Sequence, residues 1–306
     1  MVPVARPAPE PCRGRFAPSP TGPLHFGSLV AAVASYLEVR TRGGTWLVRM
    51  EDLDPPREVP GAADHILRTL AAFGMESDEP VLYQSRRLAA YEDSWQRLRE
   101  TAGCFPCACS RATLRAAGST LIGNEGPIYP GTCRRRPPPP GQPVAWRVPV
   151  PDVEISFTDA VQGPQRQNLA REVGDFVVRR RDGLFAYQLA VVVDDAFQGI
   201  THVVRGSDLL DSTPRQIYLQ EQLGVAQPAW LHTPVATLPE GEKLSKQTGA
   251  QAVVANSASL HAALCFLGQP VPMELARAPL AELWDWALTH WQATRIPRQL
   301  ARPAPA

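Results

Sequence analysis

Lysine is almost absent from this chain of 306 residues. Of its 31 Lys and Arg side chains, Lys243 and Lys246 are the two lysines. Arginine would serve equally well for general surface charge. A lysine pair this close in sequence therefore suggests a specific use for a compact, flexible ammonium, such as contact with a phosphate. We expect residues 241–249 to form a functional loop.

The chain also has no long apolar segment. No run approaches the roughly 18 residues needed to span a bilayer, and the Pro- and Arg-rich N-terminal stretch lacks the apolar segment of an export signal. These absences favour a cytoplasmic protein with no membrane partner. The formal net charge of +1 predicts no general attraction to nucleic acid, so RNA binding would need a local basic face such as residues 134–136 or 179–181.

Common catalytic fingerprints are missing as well. A G-x-x-x-x-G-K-[ST] phosphate loop is excluded because the sequence contains no Gly-Lys pair, and neither H-E-x-x-H nor G-x-S-x-G occurs. Six cysteines are too few for a disulfide scaffold in a chain of this length. Because three of them lie within residues 104–109, their clustering favours metal binding.

The pattern of segments predicts an α/β fold. A strand at 14–17, a helix at 25–40 and a strand at 45–50 form a unit typical of parallel sheets. Helices are expected at 59–73, 85–102, 213–223, 257–267 and 280–291, and strands at 144–150, 155–159, 184–193 and 201–205. The predicted organisation is a disordered tail (1–12), the first half of the α/β domain (13–102), an inserted subdomain (103–175), the second half of the α/β domain (176–250) and a C-terminal helical segment (251–306).

The most specific stretch lies at residues 15–28, with the sequence RFAPSPTGPLHFGS. Two prolines stiffen the turn, and His25 with the following backbone N–H groups is expected at a helix N-terminus, where the helix dipole favours an anion. Gly27 would let a flat ring lie against the backbone. This stretch resembles the His-Ile-Gly-His motif of the glutamate-type class I aminoacyl-tRNA synthetases. The segment Lys243-Leu244-Ser245-Lys246-Gln247 resembles their Lys-Met-Ser-Lys-Ser loop.

The resemblance implies a Rossmann-like catalytic domain that uses ATP with Mg²⁺. Two positions depart from the family pattern, since Ser28 replaces the second histidine and Gln247 replaces the final serine. The catalytic residues it implies are His25, Lys243 and Lys246, and the ATP-binding residues are His25, Gly27, Ser28, Lys243, Ser245 and Lys246. The glutamate-binding residues it implies are Arg15, Phe16, Ala17, Pro18, Ser19, Glu51, Tyr187 and Arg205. Which arginine takes which carboxylate of the substrate stays open.

A second group of residues predicts a structural zinc site. Cys107, Cys109 and Cys133 supply three thiolates, and zinc prefers about four ligands. Thiol chemistry alone favours Cys104 as the fourth. The pattern Cys-x-Cys…Tyr-x-x-x-Cys, however, resembles the zinc site of one branch of the family and implies Tyr129. The alternative is a set of reduced cysteines without metal.

The resemblance also implies a partner. The 59 residues after Gln247 are too few for the family's helical anticodon-reading domain, which indicates a truncated branch. Its members activate L-glutamate and attach it to the queuosine base of tRNA(Asp), and a monomer is expected. Two alternatives remain: a truncated synthetase that charges the 3′ end of tRNA(Glu), and a non-catalytic paralogue.

Overall fold

The computed structural model describes residues 11–116, 121–122, 126–244 and 251–305. Its helices are α1 (Phe26–Arg40), α2 (Ala62–Ala72), α3 (Leu88–Thr101), α4 (Arg111–Ala116), α5 (Thr132–Arg135), α6 (Leu169–Glu172), α7 (Tyr187–Phe197), α8 (Thr213–Leu223), α9 (Ser257–Phe266) and α10 (Leu280–His290). Its strands are β1 (Arg13–Phe16), β2 (Thr45–Met50), β3 (Leu82–Tyr83), β4 (Phe105–Cys107), β5 (Leu121–Ile122), β6 (Gly126–Pro127), β7 (Ala145–Val148), β8 (Glu154–Asp159), β9 (Gly163–Asn168), β10 (Phe176–Arg179), β11 (His202–Gly206), β12 (Ala229–Thr233), β13 (Val235–Thr237) and β14 (Ala301–Pro303).

A seven-stranded sheet forms the centre, with the strand order β3-β2-β1-β11-β12-β8-β9. All neighbours in it run parallel except the hairpin β8–β9. Side chains of β2 alternate between the two faces: Trp46 and Val48 pack into one hydrophobic cluster, and Leu47 packs into the other. The first cluster contains residues of α1, α9 and α10, and the second contains residues of α3, α7 and α8. The predicted α/β class is therefore confirmed, and the structure shows helices on both faces of the sheet.

The prediction of a strand at 184–193 is wrong, because the chain forms helix α7 there. Four consecutive residues of α7 are buried, so nearly every side of this part of the helix faces the protein interior: Leu189, Ala190, Val191 and Val192. A helix buried in this way gives the same short apolar run as a buried strand, and periodicity cannot separate the two.

The predicted domain boundaries do not coincide with the sheets. Strands β8 and β9, assigned to the insertion, extend the central sheet next to β12, which the sequence did not reveal. Strand β10, assigned to the catalytic domain, instead joins β7 and β4 in a three-stranded sheet. Residues 1–10 of the predicted tail lie outside the described residues, whereas Cys12 is tied to the sheet by its carbonyl, which accepts from the Thr45 N–H at 2.9 Å.

The C-terminal segment carries a strand as well as the expected helices. Strand β14 pairs in parallel with β13. Within the described ranges, none of the helices combines the length and apolarity needed to cross a membrane.

Candidate functional site

His25 sits at the N-terminus of α1, as the sequence predicts. It is the N-cap residue, and its Nδ1 accepts a hydrogen bond from the Ser28 N–H at 3.3 Å. If residue 27 carried a side chain, its Cβ would lie 3.2 Å from Cε1 of His25, which is a tight contact. Glycine at this position therefore lets the imidazole lie against the turn. The ring that Gly27 accommodates here belongs to His25.

The two ends of the lysine loop lie beside this motif. The Leu244 N–H donates to the carbonyl of Ala236 at 2.8 Å. Ala236 in turn lies next to Gly27, since its Cβ would be 3.8 Å from a Cβ added at that glycine. On the other side, the Val253 N–H donates to the carbonyl of Leu24 at 2.9 Å. Ser245 and Lys246 fall in the segment 245–250, outside the described residues, but both flanks of that segment adjoin the His25 turn.

Lys243 is the lysine that the structure describes. Its Nζ lies 2.5 Å from Oδ2 of Asp208, two residues beyond the end of β11. Residue 243 also forms a bridge with Thr237 of β13. The start of the loop is thereby fixed against β13.

Two buried arginines share one carboxylate behind the site. Arg15 binds Asp195 side-on, with Nε at 2.9 Å from Oδ1 and Nη2 at 3.3 Å from Oδ2. Arg49 donates to the same Oδ1 at 2.7 Å and to Gln198 at 2.9 Å. Burial alone would raise the pKa of Asp195, but the two guanidinium groups hold it below its usual range. Arg15, which the resemblance implies as a glutamate-binding residue, thus uses its side-on edge to bind Asp195.

Arg205 has a different environment. It is buried near the carboxyl end of β11, and burial lowers the pKa of its guanidinium group. Its hydrogen-bond partners in the described part of the chain are all neutral acceptors: Gln216 Oε1 (2.8 Å), Thr213 Oγ1 (2.9 Å), His232 Nε2 (3.0 Å), the Leu209 carbonyl (3.2 Å) and the Tyr187 hydroxyl (3.4 Å). A buried guanidinium with such partners keeps a positive charge that a ligand's carboxylate could neutralise.

A cleft of about 1250 Å³ opens next to these arginines. Ser19, Glu51 and Tyr187 line it. Glu51 follows β2, and its Oε1 lies 3.4 Å from Nη2 of Arg49. Burial raises the pKa of Glu51 even though Arg49 and Arg15 act in the opposite direction. An acid and a hydroxyl group therefore face the cleft at the carboxyl end of the sheet, where α/β folds bind ligands.

The remaining residues predicted to bind glutamate shape the turn after β1. Phe16 ends β1 and packs into the hydrophobic core, and Ala17 is half-buried. The carbonyl of Pro18 accepts from the Glu51 N–H at 3.0 Å, which ties this turn to the end of β2.

The cysteine cluster forms as predicted from its spacing. The Sγ atoms of Cys107, Cys109 and Cys133 lie within 4.8 Å of one another, and the Cys109–Cys133 pair is 3.5 Å apart. Tetrahedral zinc with Zn–S bonds of about 2.3 Å needs sulfurs about 3.8 Å apart, so the donor set fits this ion. The Tyr129 hydroxyl accepts from the Cys133 N–H at 2.7 Å and therefore lies at the thiols.

Cys104 lies elsewhere. It packs against the hydrophobic cluster that contains α3, α7 and α8, and it is absent from the described group of close thiols. Of the two alternatives for the fourth ligand, the geometry favours Tyr129. Gly174, at φ +75°, allows the Tyr129 backbone to approach closely, since a Cβ at this position would lie 2.5 Å from the Tyr129 carbonyl oxygen.

The basic triplets are partly paired with acids. Arg134 lies 3.3 Å from Asp175, and Arg180 bridges Asp54 and Asp182. Arg180 and Arg181 line the cleft, and Arg181 donates to the Ala108 carbonyl between two of the clustered cysteines at 2.6 Å.

Four residues of this region escaped the sequence analysis: Arg49, Asp159, Asp195 and His232. Asp195 had a local signal, because two consecutive aspartates end the apolar run of α7, and a charge there requires a partner. Asp159 and His232 gave no local signal, since they meet only when β8 pairs beside β12.

The family model for tRNA synthetases class I (E and Q), catalytic domain, matches residues 11–262 of the chain. The chain belongs to this family of class I aminoacyl-tRNA synthetases. It is 59% identical over 292 residues to the glutamyl-Q tRNA(Asp) synthetase of Dechloromonas aromatica, covering 95% of this chain and 97% of that protein. It is 57% identical to the protein of the same name from Thiobacillus denitrificans, covering 97% and 99%.

Solved structures agree on the fold. The glutamate-tRNA synthetase of Elizabethkingia anophelis superposes with a TM-score of 0.78 at 26% identity, covering 96% of this chain and 68% of that chain. The resemblance implied by the two short motifs is therefore confirmed at the level of the family.

Proposed function

We propose that this chain activates L-glutamate with ATP and transfers the glutamyl group to queuosine in tRNA(Asp). The observation that carries the glutamate assignment is Arg205, a buried guanidinium with neutral partners beside a cleft that also presents Glu51. The acceptor is taken from the relatives named glutamyl-Q tRNA(Asp) synthetase, which match nearly the whole chain.

Charge balance supports an acidic amino acid as the substrate. Arg15, Arg49 and Arg205 together with Asp195 and Glu51 leave one positive charge. Glutamate, with two carboxylates and one ammonium, carries one negative charge and neutralises this group. Arg205 is proposed to bind a carboxylate with the Tyr187 hydroxyl beside it, and Glu51 to accept the α-ammonium. Arg15 has Nη1 left for the substrate, since Nε and Nη2 bind Asp195.

ATP is proposed to bind between the His25 turn and the lysine loop. His25, Gly27 and Ser28 lie at the N-terminus of α1, where the helix dipole favours a phosphate. Lys243, Ser245 and Lys246 would approach the triphosphate from the opposite side, and Mg²⁺ would accompany the nucleotide. Positioned donors and cations of this kind typically contribute about 3–4 kcal/mol each to transition-state stabilisation.

The reaction has two steps. An oxygen of the glutamate α-carboxylate attacks the α-phosphorus of ATP, the bond to the bridging oxygen breaks, and pyrophosphate leaves. A hydroxyl of the queuosine cyclopentenediol then attacks the carbonyl carbon of glutamyl-AMP, the bond from this carbon to the phosphate oxygen breaks, AMP leaves, and the hydroxyl proton passes to solvent, which gives the glutamyl ester. His25 and the lysines act in the first step by stabilising charge on the phosphates.

The thiol cluster is proposed to hold a structural zinc ion. Cys107, Cys109 and Cys133 would supply three ligands and Tyr129 the fourth. Among the described residues from β4 to α5, the four ligands share one small hydrophobic cluster with Leu114 and Phe105. An ion would therefore link them. Zinc takes no part in either reaction step.

Two measurements test the proposed function. Glutamate-dependent ATP–pyrophosphate exchange without tRNA is expected, with little exchange for other amino acids. Radiolabelled glutamate should then transfer to tRNA(Asp) that contains queuosine, and the label should be found in the anticodon fragment after nuclease digestion. Equal labelling of queuosine-free tRNA(Asp), or labelling of the 3′ end of tRNA(Glu), would contradict the proposal. A monomeric state and a cytoplasmic location stay predictions.

A further inference from the structure

His232 connects two parts of the interior. Its Nδ1 lies 2.6 Å from Oδ2 of Asp159, at the end of β8, and its Nε2 lies 3.0 Å from Nε of Arg205. The side chains of His232 and Asp159 have no solvent exposure. A buried chain of contacts thus runs from Asp159 through the imidazole to the guanidinium proposed to bind glutamate.

The hydrogen bonds determine where the proton on His232 sits. Burial lowers the pKa of His232 to about 4, so the ring is neutral at pH 7 and carries a single proton. Asp159 can only accept, which places this proton on Nδ1. Nε2 is then an acceptor for the Arg205 Nε–H. The Thr213 hydroxyl accepts from Nη2 of Arg205 at 2.9 Å and lies 3.4 Å from the same Nε2, so its own proton can point there.

We propose that Asp159 and His232 are positioning residues for Arg205: through the neutral Nδ1–H form of the imidazole they orient the guanidinium without neutralising it. The contrast with Arg15 supports this role. Arg15 is held directly by the Asp195 carboxylate, which it shares with Arg49, whereas Arg205 is held by an uncharged ring and retains its full charge for the substrate. The inference rests on the proposed function of Arg205 as a glutamate-binding residue.

The isosteric variant Asp159→Asn tests it. Oδ1 of Asp159 accepts the N–H groups of Val161 (3.0 Å), Gln162 (2.7 Å) and His232 (3.2 Å). In the variant these three donors hold the amide oxygen of the new side chain at that position, so its NH2 group must face Nδ1 of His232. Nδ1 then becomes an acceptor and the ring proton moves to Nε2. The Nε2–H group of His232 would then face the Nε–H group of Arg205, and two donors cannot hydrogen-bond to each other.

We expect the KM for glutamate in pyrophosphate exchange to rise roughly 10- to 100-fold in Asp159→Asn, with the KM for ATP nearly unchanged. The control is Asp78→Asn, which also removes a carboxylate that accepts a backbone N–H, that of Trp46 at 2.7 Å, but lies away from the cleft. A purely structural role for Asp159 would lower thermal stability and leave the KM for glutamate at the wild-type value, which would overturn the proposal.

Nitrogen-15 NMR of histidine-labelled protein tests the inference on the wild-type protein itself, by showing which ring nitrogen of His232 carries the proton. The His232 ring should be in the Nδ1–H form at pH 7 in the wild type and in the Nε2–H form in Asp159→Asn. A wild-type ring that is protonated on Nε2 or on both nitrogens would overturn the inference even if Asp159→Asn does not fold. Absence of glutamate-dependent exchange in the wild type would instead contradict the proposed function.

Discussion

Arg15 and Asp195 meet side-on in the interior of the protein, and their side chains are only 3% and 5% exposed. Arg49, with no exposure, contacts the same carboxylate at 2.7 Å. Asp195 therefore separates two positive charges that would otherwise repel each other in a medium of low polarity. This single residue of α7 joins the ends of β1 and β2 behind the cleft.

The variant Asp195→Asn is expected to lose about 3–5 kcal/mol of unfolding free energy, because it removes the carboxylate that Arg15 and Arg49 share and leaves Glu51, 3.4 Å from Arg49, as the nearest described counter-charge. Denaturant titration measures the loss. Asp152→Asn is a matched control, since Arg171 binds Asp152 in the same side-on geometry at 2.8 and 3.0 Å with both side chains more than half exposed. We expect no measurable change there. Similar losses in both variants would contradict the role of burial.

Helices with clear ends were predictable from sequence, as α8 shows. Its limits at Thr213 and Leu223 agree with the prediction because a proline occupies its first turn and Gly224 follows its last residue. Helix α7 was mistaken for a strand because tertiary packing buries it on nearly all sides. The His25 turn was predictable because it is one continuous segment, and the cysteine cluster was predictable because the spacing of its cysteines is typical of a metal site. Contacts across the sheet, such as Asp159 with His232, depend on a strand order that no local pattern encodes.

Discrimination between glutamate and glutamine is expected where Arg205 binds the side-chain carboxylate of the substrate. Glutamine lacks this carboxylate, so its binding would leave the buried positive charge of Arg205 without compensation. We expect kcat/KM in pyrophosphate exchange to be roughly 100-fold lower for glutamine than for glutamate. Comparable values for the two amino acids would indicate that Arg205 does not contact the side-chain end of the substrate.

The affinity for glutamate should depend on the ionisation of Glu51. Burial raises the pKa of Glu51 above the 4.5 of an ordinary glutamate side chain. As the pH falls through this raised pKa, Glu51 gains a proton and loses its attraction for the α-ammonium. The KM for glutamate should therefore begin to rise at a higher pH than an unperturbed carboxyl would give, while the KM for ATP stays level. In Glu51→Gln the KM for glutamate should be high throughout and lose this pH dependence.

Lys246→Ala tests the lysine loop. The ammonium is expected to act on the triphosphate only as charge develops in the transition state. The rate of glutamate-dependent exchange should therefore fall about 100- to 1000-fold, whereas the dissociation constant of glutamate, measured by calorimetry, should stay at the wild-type value. A parallel loss of glutamate affinity would place Lys246 at the amino acid.

The thiol cluster predicts about one zinc ion per chain, measurable by atomic emission on protein purified without chelators. Cys107→Ser should abolish the bound zinc because Cys107 is one of the three close thiols. Cys104→Ser is the matched control, three residues away in sequence but packed in another cluster, and should retain it. Tyr129→Phe should weaken zinc retention against a chelator, since it removes the hydroxyl that lies at the thiols. Loss of zinc from Cys104→Ser but not from Tyr129→Phe would reverse the assignment of the fourth ligand.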